Sequence, residues 1–433
     1  MGRQITAIIV GAGHRAMLYA SYSQEHPENL KIVGVADPDP VRRKQAADAF
    51  HFSEEMCFES AAELAEKPKL ADAIINGTMD TQHVETTIPL LYKGYDVLLE
   101  KPFAVNEQEM KQLQKAVEET RRTVMICHVL RYAPFYTAIK EHIANGEIGD
   151  IINIQATEHV GYDHMAVSYI RGKWGNEEIC GTSLLLAKCC HDIDMILWLK
   201  SGVSPHQISS FGSDFQFGPE KKPSGCGTRC MVDCPIENTC LYSAKKHYID
   251  HPDRWTFYVW SCLEAKENVT LQDKEESLKT DNIHGRCVWD CQHKGIDHQS
   301  VMIEFADGAT ATLNMIGGAA KAERNLHVIG TTGEIKGTFD DSRFVIRKID
   351  PSQPSGYSEK EYDLGIAGDK TGALGTHGGG DLGLVEDFVH VLQGKKASIS
   401  CTTIQDSFLG HLCTFRADLA RKNRSVETIP AEV

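Results

Sequence analysis

Short apolar segments alternate with amphipathic segments along the first 128 residues. Five apolar runs have the length and composition of buried strands: 5–10, 31–36, 73–76, 95–99 and 123–127. Between them, residues 40–50, 81–93 and 106–120 have the spacing of helices. Strands that alternate with helices in this way predict an α/β domain with a doubly wound parallel sheet.

The pattern changes after Arg131. A helix is predicted at 134–145, a long alternating strand at 150–161 and a largely apolar helix at 181–199. Later strands are joined by hairpin turns such as Asp307-Gly308. We therefore expect a second, α+β domain with a large, open, mostly antiparallel sheet. The domains are predicted at 1–128 and 129–433, with a Cys-rich insertion at about 212–285 and a last helix at about 403–422.

The first strand runs into a glycine turn with the pattern of a dinucleotide site, Gly11-Ala12-Gly13-His14-Arg15-Ala16. Gly11 allows a tight turn, and Gly13 lets the backbone approach a pyrophosphate at a helix N-terminus. Asp37 ends the next strand, where an acidic side chain accepts the ribose hydroxyls of NAD. It would repel the 2′-phosphate of NADP, so NAD is the expected cofactor. Gly11, Gly13, His14, Arg15 and Asp37 are its predicted ligands, and the alternative is an ordinary turn with a solvent-facing Asp.

Composition and charge exclude some partners. The net charge is −15, whereas a nucleic-acid partner requires clustered Lys and Arg. We find no apolar run long enough to cross a membrane. The chain enters its first strand without a signal-peptide pattern, so we expect a cytoplasmic protein. In that compartment the 14 cysteines are expected to be thiols or metal ligands.

Four cysteines of the insertion lie within fifteen residues: Cys226, Cys230, Cys234 and Cys240. Cys287, Cys291 and His293 follow. Four thiolates could bind a structural zinc or an iron–sulfur cluster, although the spacings are not the common ones. Free thiols and a disulfide are the alternatives. Four protein thiolates would leave no open position on a zinc ion, so catalysis by zinc is not expected.

Three further motifs follow along the chain: Glu100-Lys101-Pro102 after the fourth parallel strand, His191-Asp192-Ile193-Asp194 in the apolar helix, and Cys401-Thr402-Thr403 before the last helix. With these motifs and the glycine turn, the chain resembles the Gfo/Idh/MocA family of NAD(P)-dependent sugar and polyol oxidoreductases. The resemblance implies a Rossmann domain. It also implies that Thr78, His83 and Glu100 line the cofactor, and that Lys101 contacts nicotinamide and substrate and helps to transfer a proton. The alternative for Lys101 is a structural pair with Glu100.

His191 is the predicted base, since a histidine near neutrality suits removal of a hydroxyl proton. Lys188, His191 and Asp194 lie three residues apart and share a broad helix face. Many relatives have an Asp four residues before the His, whereas this chain has Ala187. We therefore expect Asp194 or Lys188 to orient or tune His191. The alternative is a buried histidine with a structural role only.

Substrate-binding candidates occur in two polar segments. Tyr162, His164, Arg171 and Trp174 could bind a sugar by hydrogen bonds and stacking, and Arg171 could grip an anionic group. His377 and Asp381 belong to a glycine-rich turn before a helix. The alternatives are a surface loop for the first segment and a helix cap for Asp381.

The resemblance implies NAD-dependent hydride transfer at a secondary hydroxyl of a sugar, sugar derivative or cyclic polyol. Some relatives are instead redox-neutral NAD-dependent glycoside hydrolases, and this is the main alternative. A catalytically inactive NAD-binding sensor is a third. We expect a homodimer or homotetramer formed through the open sheet.

Overall fold

The computed structural model describes residues 2–365 and 377–430. The chain forms two compact units. The first combines Met1–Glu141, Ile193–Trp198 and Thr376–Phe415, and the second combines His142–Asp192, Leu199–Gly375 and Arg416–Val433. The units therefore differ from the predicted division at residue 128, because part of the C-terminal chain returns to the first unit.

The first unit contains a six-stranded parallel sheet. Its strands are β1 (Ile5–Val10), β2 (Leu30–Ala36), β3 (Cys57–Phe58), β4 (Ala73–Asn76), β5 (Asp96–Leu99) and β6 (Val124–Ile126). Their order is β3-β2-β1-β4-β5-β6, so the direction in which successive strands are added to the sheet reverses between β1 and β4. In such sheets ligands bind at the carboxyl edge beside this reversal.

The helices up to residue 144 are α1 (His14–Ala20), α2 (Tyr22–Glu25), α3 (Pro40–Phe50), α4 (Ala61–Glu66), α5 (His83–Tyr92), α6 (Glu107–Thr120) and α7 (Pro134–Ala144). Local sequence explains several starts. The side chains of Asp39, Ser60 and Asn106 cap α3, α4 and α6, respectively. Only the two-residue strand β3, which is too short to give a pattern, was absent from the predicted sheet.

The second unit contains a nine-stranded, mostly antiparallel sheet in the order β14-β13-β12-β11-β7-β10-β9-β8-β15. Its strands are β7 (Ile151–Gly161), β8 (Pro205–Ser213), β9 (His298–Phe305), β10 (Thr310–Ala319), β11 (Glu323–Gly330), β12 (Gly333–Thr338), β13 (Arg343–Ile349), β14 (Tyr357–Asp363) and β15 (Val426–Thr428). The pair β7–β10 is parallel. The predicted fold class of both parts is confirmed.

The remaining helices are α8 (Tyr162–His164), α9 (Glu177–Cys180), α10 (Leu184–Leu199), α11 (Leu271–Lys279), α12 (Gly380–Leu392) and α13 (Ile404–Asn423). The insertion extends from the end of β8 to the start of β9 and is longer than predicted. Its own apolar cluster includes Tyr248, Val259 and Leu278. Within the described ranges, no helix is both long and apolar enough to cross a membrane.

Candidate functional site

The turn after β1 brings backbone N–H groups to the carboxyl edge of the parallel sheet. Gly11 has a φ of +77°, and a Cβ there would lie 2.8 Å from the Cα of Thr78. Gly13 is the N-cap of α1 and has no side chain with which to cover the helix N-terminus. A Cβ on Gly77 would lie 2.8 Å from the Cβ of Ala16, so α1 packs closely on the neighbouring strand end. This turn fits the pyrophosphate of a dinucleotide.

Asp37 is anchored to the same turn. It is buried at the end of β2, its Oδ2 accepts the Ala12 N–H at 2.7 Å, and its Oδ1 accepts the Asp39 N–H at 2.8 Å. A carboxylate has about four lone-pair sites, so both oxygens can accept further hydrogen bonds. The position therefore fits the ribose of NAD, and that role stays a prediction. His14, also predicted at the cofactor, is the exposed first residue of α1.

Arg15 connects the glycine turn with Glu100. Its Nε donates to Glu100 Oε1 at 3.0 Å, and a terminal nitrogen pairs with Asp381. The Tyr19 hydroxyl donates to the same Glu100 oxygen at 2.7 Å. Burial raises the pKa of Glu100, but Arg15 and then Lys101 outweigh this effect and hold that pKa below its usual range. The guanidinium is thus shared by two buried carboxylates, and its predicted role as a cofactor ligand stays a prediction.

Lys101 begins the turn after β5, and buried groups hold the backbone of this turn. Glu100 Oε2 accepts the Lys101 N–H at 2.7 Å. His83 Nδ1 lies 2.7 Å from the carbonyl oxygen of Pro102, and His83 Nε2 lies 3.1 Å from the carbonyl oxygen of Thr78. The backbone N–H of Phe103 donates to His411 Nε2 at 3.2 Å. His83 therefore supports the backbone around the predicted cofactor site.

His411 lies on α13, more than 300 residues after Lys101, and the sequence patterns did not point to it. It is fully buried, and its ring centroid is 5.5 Å from that of His128, which is also buried. Burial, with Arg131 and Lys101, holds the pKa of His128 well below its usual range. Burial, with His128, does the same for His411. Both rings are therefore neutral at pH 7, and His411 Nε2 keeps the lone pair that the Lys101 turn requires.

In the second unit, His191 is buried on α10 beside a network of charges. Lys188 Nζ lies 3.3 Å from Glu158 Oε1 on β7. Arg324 Nε, on β11, lies 2.6 Å from Glu158 and 3.0 Å from Asp192. Glu158 thus supplies a carboxylate near the helix turn where Ala187 lacks one. The proposed roles of Lys188 and His191 in catalysis stay predictions.

This network predicts an unusual pH dependence of stability. Burial raises the pKa of Asp192 to about 6, against the attraction of Arg324. The folded protein therefore holds this proton more tightly than the unfolded chain, whose Asp titrates near about 4. The stability that the protonated form contributes is thus complete below about pH 4 and is lost as the pH rises through about 6.

We expect Asp192→Asn to raise the free energy of unfolding at pH 7 by roughly 1 to 3 kcal/mol. The gain over wild type should disappear at about pH 4. Urea denaturation at both pH values measures the difference, and Asp363→Asn, at an exposed position, is the control. A variant less stable than wild type at pH 7 would contradict this assignment.

Asp194 forms a buried bidentate pair with Arg131. Arg131 Nε donates to Asp194 Oδ2 at 2.8 Å, and Nη2 donates to Oδ1 at 2.6 Å. His128 Nε2 lies 3.8 Å from the same Oδ1. Both oxygens of Asp194 accept hydrogen bonds from Arg131, and the predicted role of Asp194 beside His191 stays a prediction. The pair joins α10 to the segment before α7 within the first unit.

The aromatic residues predicted to bind substrate pack against the insertion. The ring of His164 stacks on that of Trp255, with centroids 3.5 Å apart and planes 8° from parallel. The ring of Trp174 stacks on that of Tyr169, with centroids 5.7 Å apart. The hydroxyl of Tyr162 accepts a hydrogen bond from Arg254 at 3.2 Å. These contacts use one ring face of His164 and of Trp174, and the three substrate-binding roles stay predictions.

Arg171 is hydrogen-bonded to several groups of the insertion. It is buried, and it donates to the carbonyl oxygens of Arg286 and Tyr242 at 2.7 and 2.6 Å. It also donates to the Tyr248 hydroxyl at 3.1 Å and to Cys230 Sγ at 3.5 Å. These groups engage the guanidinium, and the predicted contact of Arg171 with an anionic substrate stays a prediction.

The cysteine cluster does not form the metal site that its spacing suggested. Throughout residues 2–365 and 377–430, no group of three or more His, Cys, Asp or Glu side chains has the arrangement of a metal site. The four residues concerned, Cys226, Cys230, Cys234 and Cys240, are free thiols. One of them, Cys230, is instead a partner of Arg171.

His377 and Asp381 form a pair in the first unit. Asp381, in the first turn of α12, is fully buried, and its Oδ2 lies 2.8 Å from His377 Nδ1. Its other oxygen pairs with Arg15. Burial alone would raise the pKa of Asp381, but Arg15 and His377 hold it well below its usual range. The carboxylate thus connects the His377 turn to Arg15 and Glu100 instead of capping α12.

The sheet order, the glycine turn and the Lys101 turn together define a dinucleotide-binding oxidoreductase. Comparison with known proteins agrees: residues 5–128 match an oxidoreductase family with an NAD-binding Rossmann fold, and residues 136–229 match the Gfo/Idh/MocA C-terminal domain. The chain belongs to the Gfo/Idh/MocA family and is an NAD-binding oxidoreductase.

Individual relatives are distant. YteT of Bacillus subtilis, named as an oxidoreductase, is 25% identical over 397 residues, which cover 88% of this chain and 87% of YteT. The scyllo-inositol 2-dehydrogenase (NAD+) of Bacillus subtilis is 28% identical over 149 residues, 34% of this chain and 43% of that protein. A levoglucosan dehydrogenase solved with NADH has a TM-score of 0.70 and 17% identity, and 99% of each chain is covered. That last likeness shows the fold.

Proposed function

We propose that this protein oxidises or reduces a secondary hydroxyl carbon of a sugar, sugar derivative or cyclic polyol with NAD. The observation that carries the proposal is the link within the first unit between the glycine turn and the Lys101 turn. Arg15 follows the first turn and pairs with Glu100, which in turn accepts the N–H of Lys101. The relatives named for inositol and levoglucosan oxidation support the substrate class.

Each residue of the site has a separate role in this proposal. The N–H groups around Gly13 and the carboxylate of Asp37 hold the pyrophosphate and a ribose. NAD, when bound, supplies hydride acceptance or donation. Lys101 donates a hydrogen bond to the reacting oxygen and, as the family resemblance implies, helps to transfer the hydroxyl proton. His191 is the base that the family resemblance implies. The ion pair between Lys188 and Glu158 sets the charge around α10, the helix that carries His191.

A substrate panel tests the proposal. The full chain is mixed with NAD or NADP and with free sugars, cyclic polyols and aryl glycosides, while NADH absorbance and aglycone release are followed in the same samples. We expect NADH to form in proportion to an oxidised sugar or polyol, with NAD preferred and no aglycone released. Aglycone release over many turnovers without NADH would establish the glycoside hydrolase instead. No reaction across the panel would contradict both.

We also infer that the open face of the nine-stranded sheet mediates self-association. Phe211, Met302 and Ile316 are exposed on adjacent strands, and the strand register places them on one face. Exposed apolar patches of this kind mark protein interfaces. A monomer by analytical ultracentrifugation would contradict the inference.

A further inference from the structure

His377 is held in a conformation that its own sequence does not favour. It has a φ of +42°, and Gly378 and Gly379 follow with φ of +64° and +95°. Non-glycine residues rarely adopt this region, and they keep it where the surrounding structure enforces it, often at functional sites. The turn is fixed from behind, because a Cβ on Gly380 would lie 2.3 Å from the carbonyl oxygen of Val129.

The imidazole of His377 is oriented by a fully buried carboxylate. Its Nδ1 lies 2.8 Å from Asp381 Oδ2, while one fifth of the His377 side chain is exposed. A carboxylate on Nδ1 fixes the Nδ1–H tautomer of a neutral ring and leaves the lone pair on Nε2. It also stabilises the imidazolium that forms when Nε2 takes a proton. This is the arrangement of a general base.

The charges around the pair keep Asp381 ionised. Arg15 of α1 pairs with Asp381 and Glu100, and the Tyr19 hydroxyl donates to Glu100. Lys101 and Cys127 also act on these carboxylates, and burial raises the pKa of Cys127 well above the usual value. Through Glu100, the pair belongs to the same hydrogen-bonded cluster as the Lys101 backbone.

The carboxylates nearest to His191 along α10 are engaged by arginines. Asp192 pairs with Arg324, and Asp194 forms two hydrogen bonds with Arg131. Position 187, where many relatives have an Asp, is alanine. His377 has a carboxylate oxygen 2.8 Å from its ring nitrogen Nδ1.

We propose that His377, oriented by Asp381, is a second proton-transfer residue and accepts the hydroxyl proton of the substrate during oxidation. The inference rests on the proposed function. The O–H bond breaks and an N–H bond forms at His377 Nε2; the oxygen keeps the electron pair and forms the carbonyl as hydride leaves its carbon for NAD. The imidazolium then returns its proton to water through the exposed part of the ring.

The kinetic test compares His377→Gln and His191→Gln in the full chain, with His390→Gln, on the helix α12 that also carries Asp381, as the control. We expect His377→Gln to lower kcat by about 10²-fold or more, with KM within about threefold, and to remove the ionisation of a base from the pH profile of kcat/KM. His390→Gln should match wild type. If the kcat and pH profile of His377→Gln match wild type while His191→Gln loses activity, the proposal is overturned and the proposed function stands.

A second readout needs neither substrate nor cofactor. Nitrogen NMR of the histidine-labelled protein reports which ring nitrogen carries the proton. We expect His377 in the Nδ1–H form in wild type, and a mixture of tautomers in Asp381→Asn. An Nε2–H form in wild type would overturn the dyad. If wild type oxidises nothing in the panel, the proposed function fails, and the reacting role of His377 fails with it even where the NMR result holds.

Discussion

Replacement of Lys101 by methionine is expected to lower kcat by about 10²- to 10⁴-fold, the range that proton-transfer groups contribute. The side chain starts from a turn whose backbone is held by Glu100, His83 and His411. That support does not depend on the ammonium group, so the turn should keep its shape in Lys101→Met. The apolar side chain removes the donor and the positive charge that the reacting oxygen needs.

The dissociation constant of NADH, measured by quenching of protein fluorescence, should change by less than about threefold, because the pyrophosphate site lies at the Gly11 turn. Lys101→Arg separates charge from proton transfer: a guanidinium keeps its proton throughout the pH range of activity, so kcat should also fall. Lys93→Met, at an exposed position after α5, is the matched control. If Lys101→Met retained wild-type kcat, Lys101 would be structural and the proposed function would lose its proton-transfer residue.

The parts of the fold that sequence predicted are those encoded locally. Buried parallel strands are continuous apolar runs, and capping residues and glycines mark where the adjoining helices and turns begin. The glycine turn is local in the same sense, since Gly11 and Gly13 lie next to the strand and helix that they join. The bounds of the five strands and three helices predicted up to residue 127 therefore agree with the structure to within two residues, whereas α1, α2, α4 and the short strand β3 had no predicted bounds.

The partners of the site residues are set by tertiary contacts, and no local pattern reports them. His411 reaches the Lys101 turn from α13, and Glu158 reaches Lys188 from β7. Helical spacing placed Asp194 on a face near His191, but spacing gives only a shared face. The bidentate partner comes from Arg131, 63 positions earlier in the chain.

In the insertion, amino-acid composition likewise did not predict which residues contact each other. Tyr, His, Arg and Trp in one loop are typical of a sugar-binding surface, and they are equally typical of an aromatic core. Composition did not predict that Arg171 is buried and donates to backbone carbonyls. Cysteine spacing likewise predicts which thiols are close along the chain, whereas a metal site requires that their sulfur atoms converge.

Asp194→Asn is expected to lower the free energy of unfolding by about 3 to 5 kcal/mol, the largest stability effect we predict. The substitution removes the carboxylate that forms both hydrogen bonds with the buried Arg131 guanidinium. Asp194 and Arg131 are 1% and 3% exposed, so water cannot replace the lost carboxylate. Urea denaturation followed by circular dichroism at pH 7 measures the effect.

Asp363→Asn is the matched control because it breaks an Asp–Arg pair of the same chemistry in solvent. Arg343 and Asp363 are more than half exposed, so their pair should contribute about 0 to 1 kcal/mol. The double variant Arg131→Met, Asp194→Leu should recover much of the loss, since it removes both buried charges. Equal costs for Asp194→Asn and Asp363→Asn would contradict the buried pair. If Asp194→Asn instead kept its stability and lost kcat, Asp194 would act on His191, as helical spacing alone had suggested.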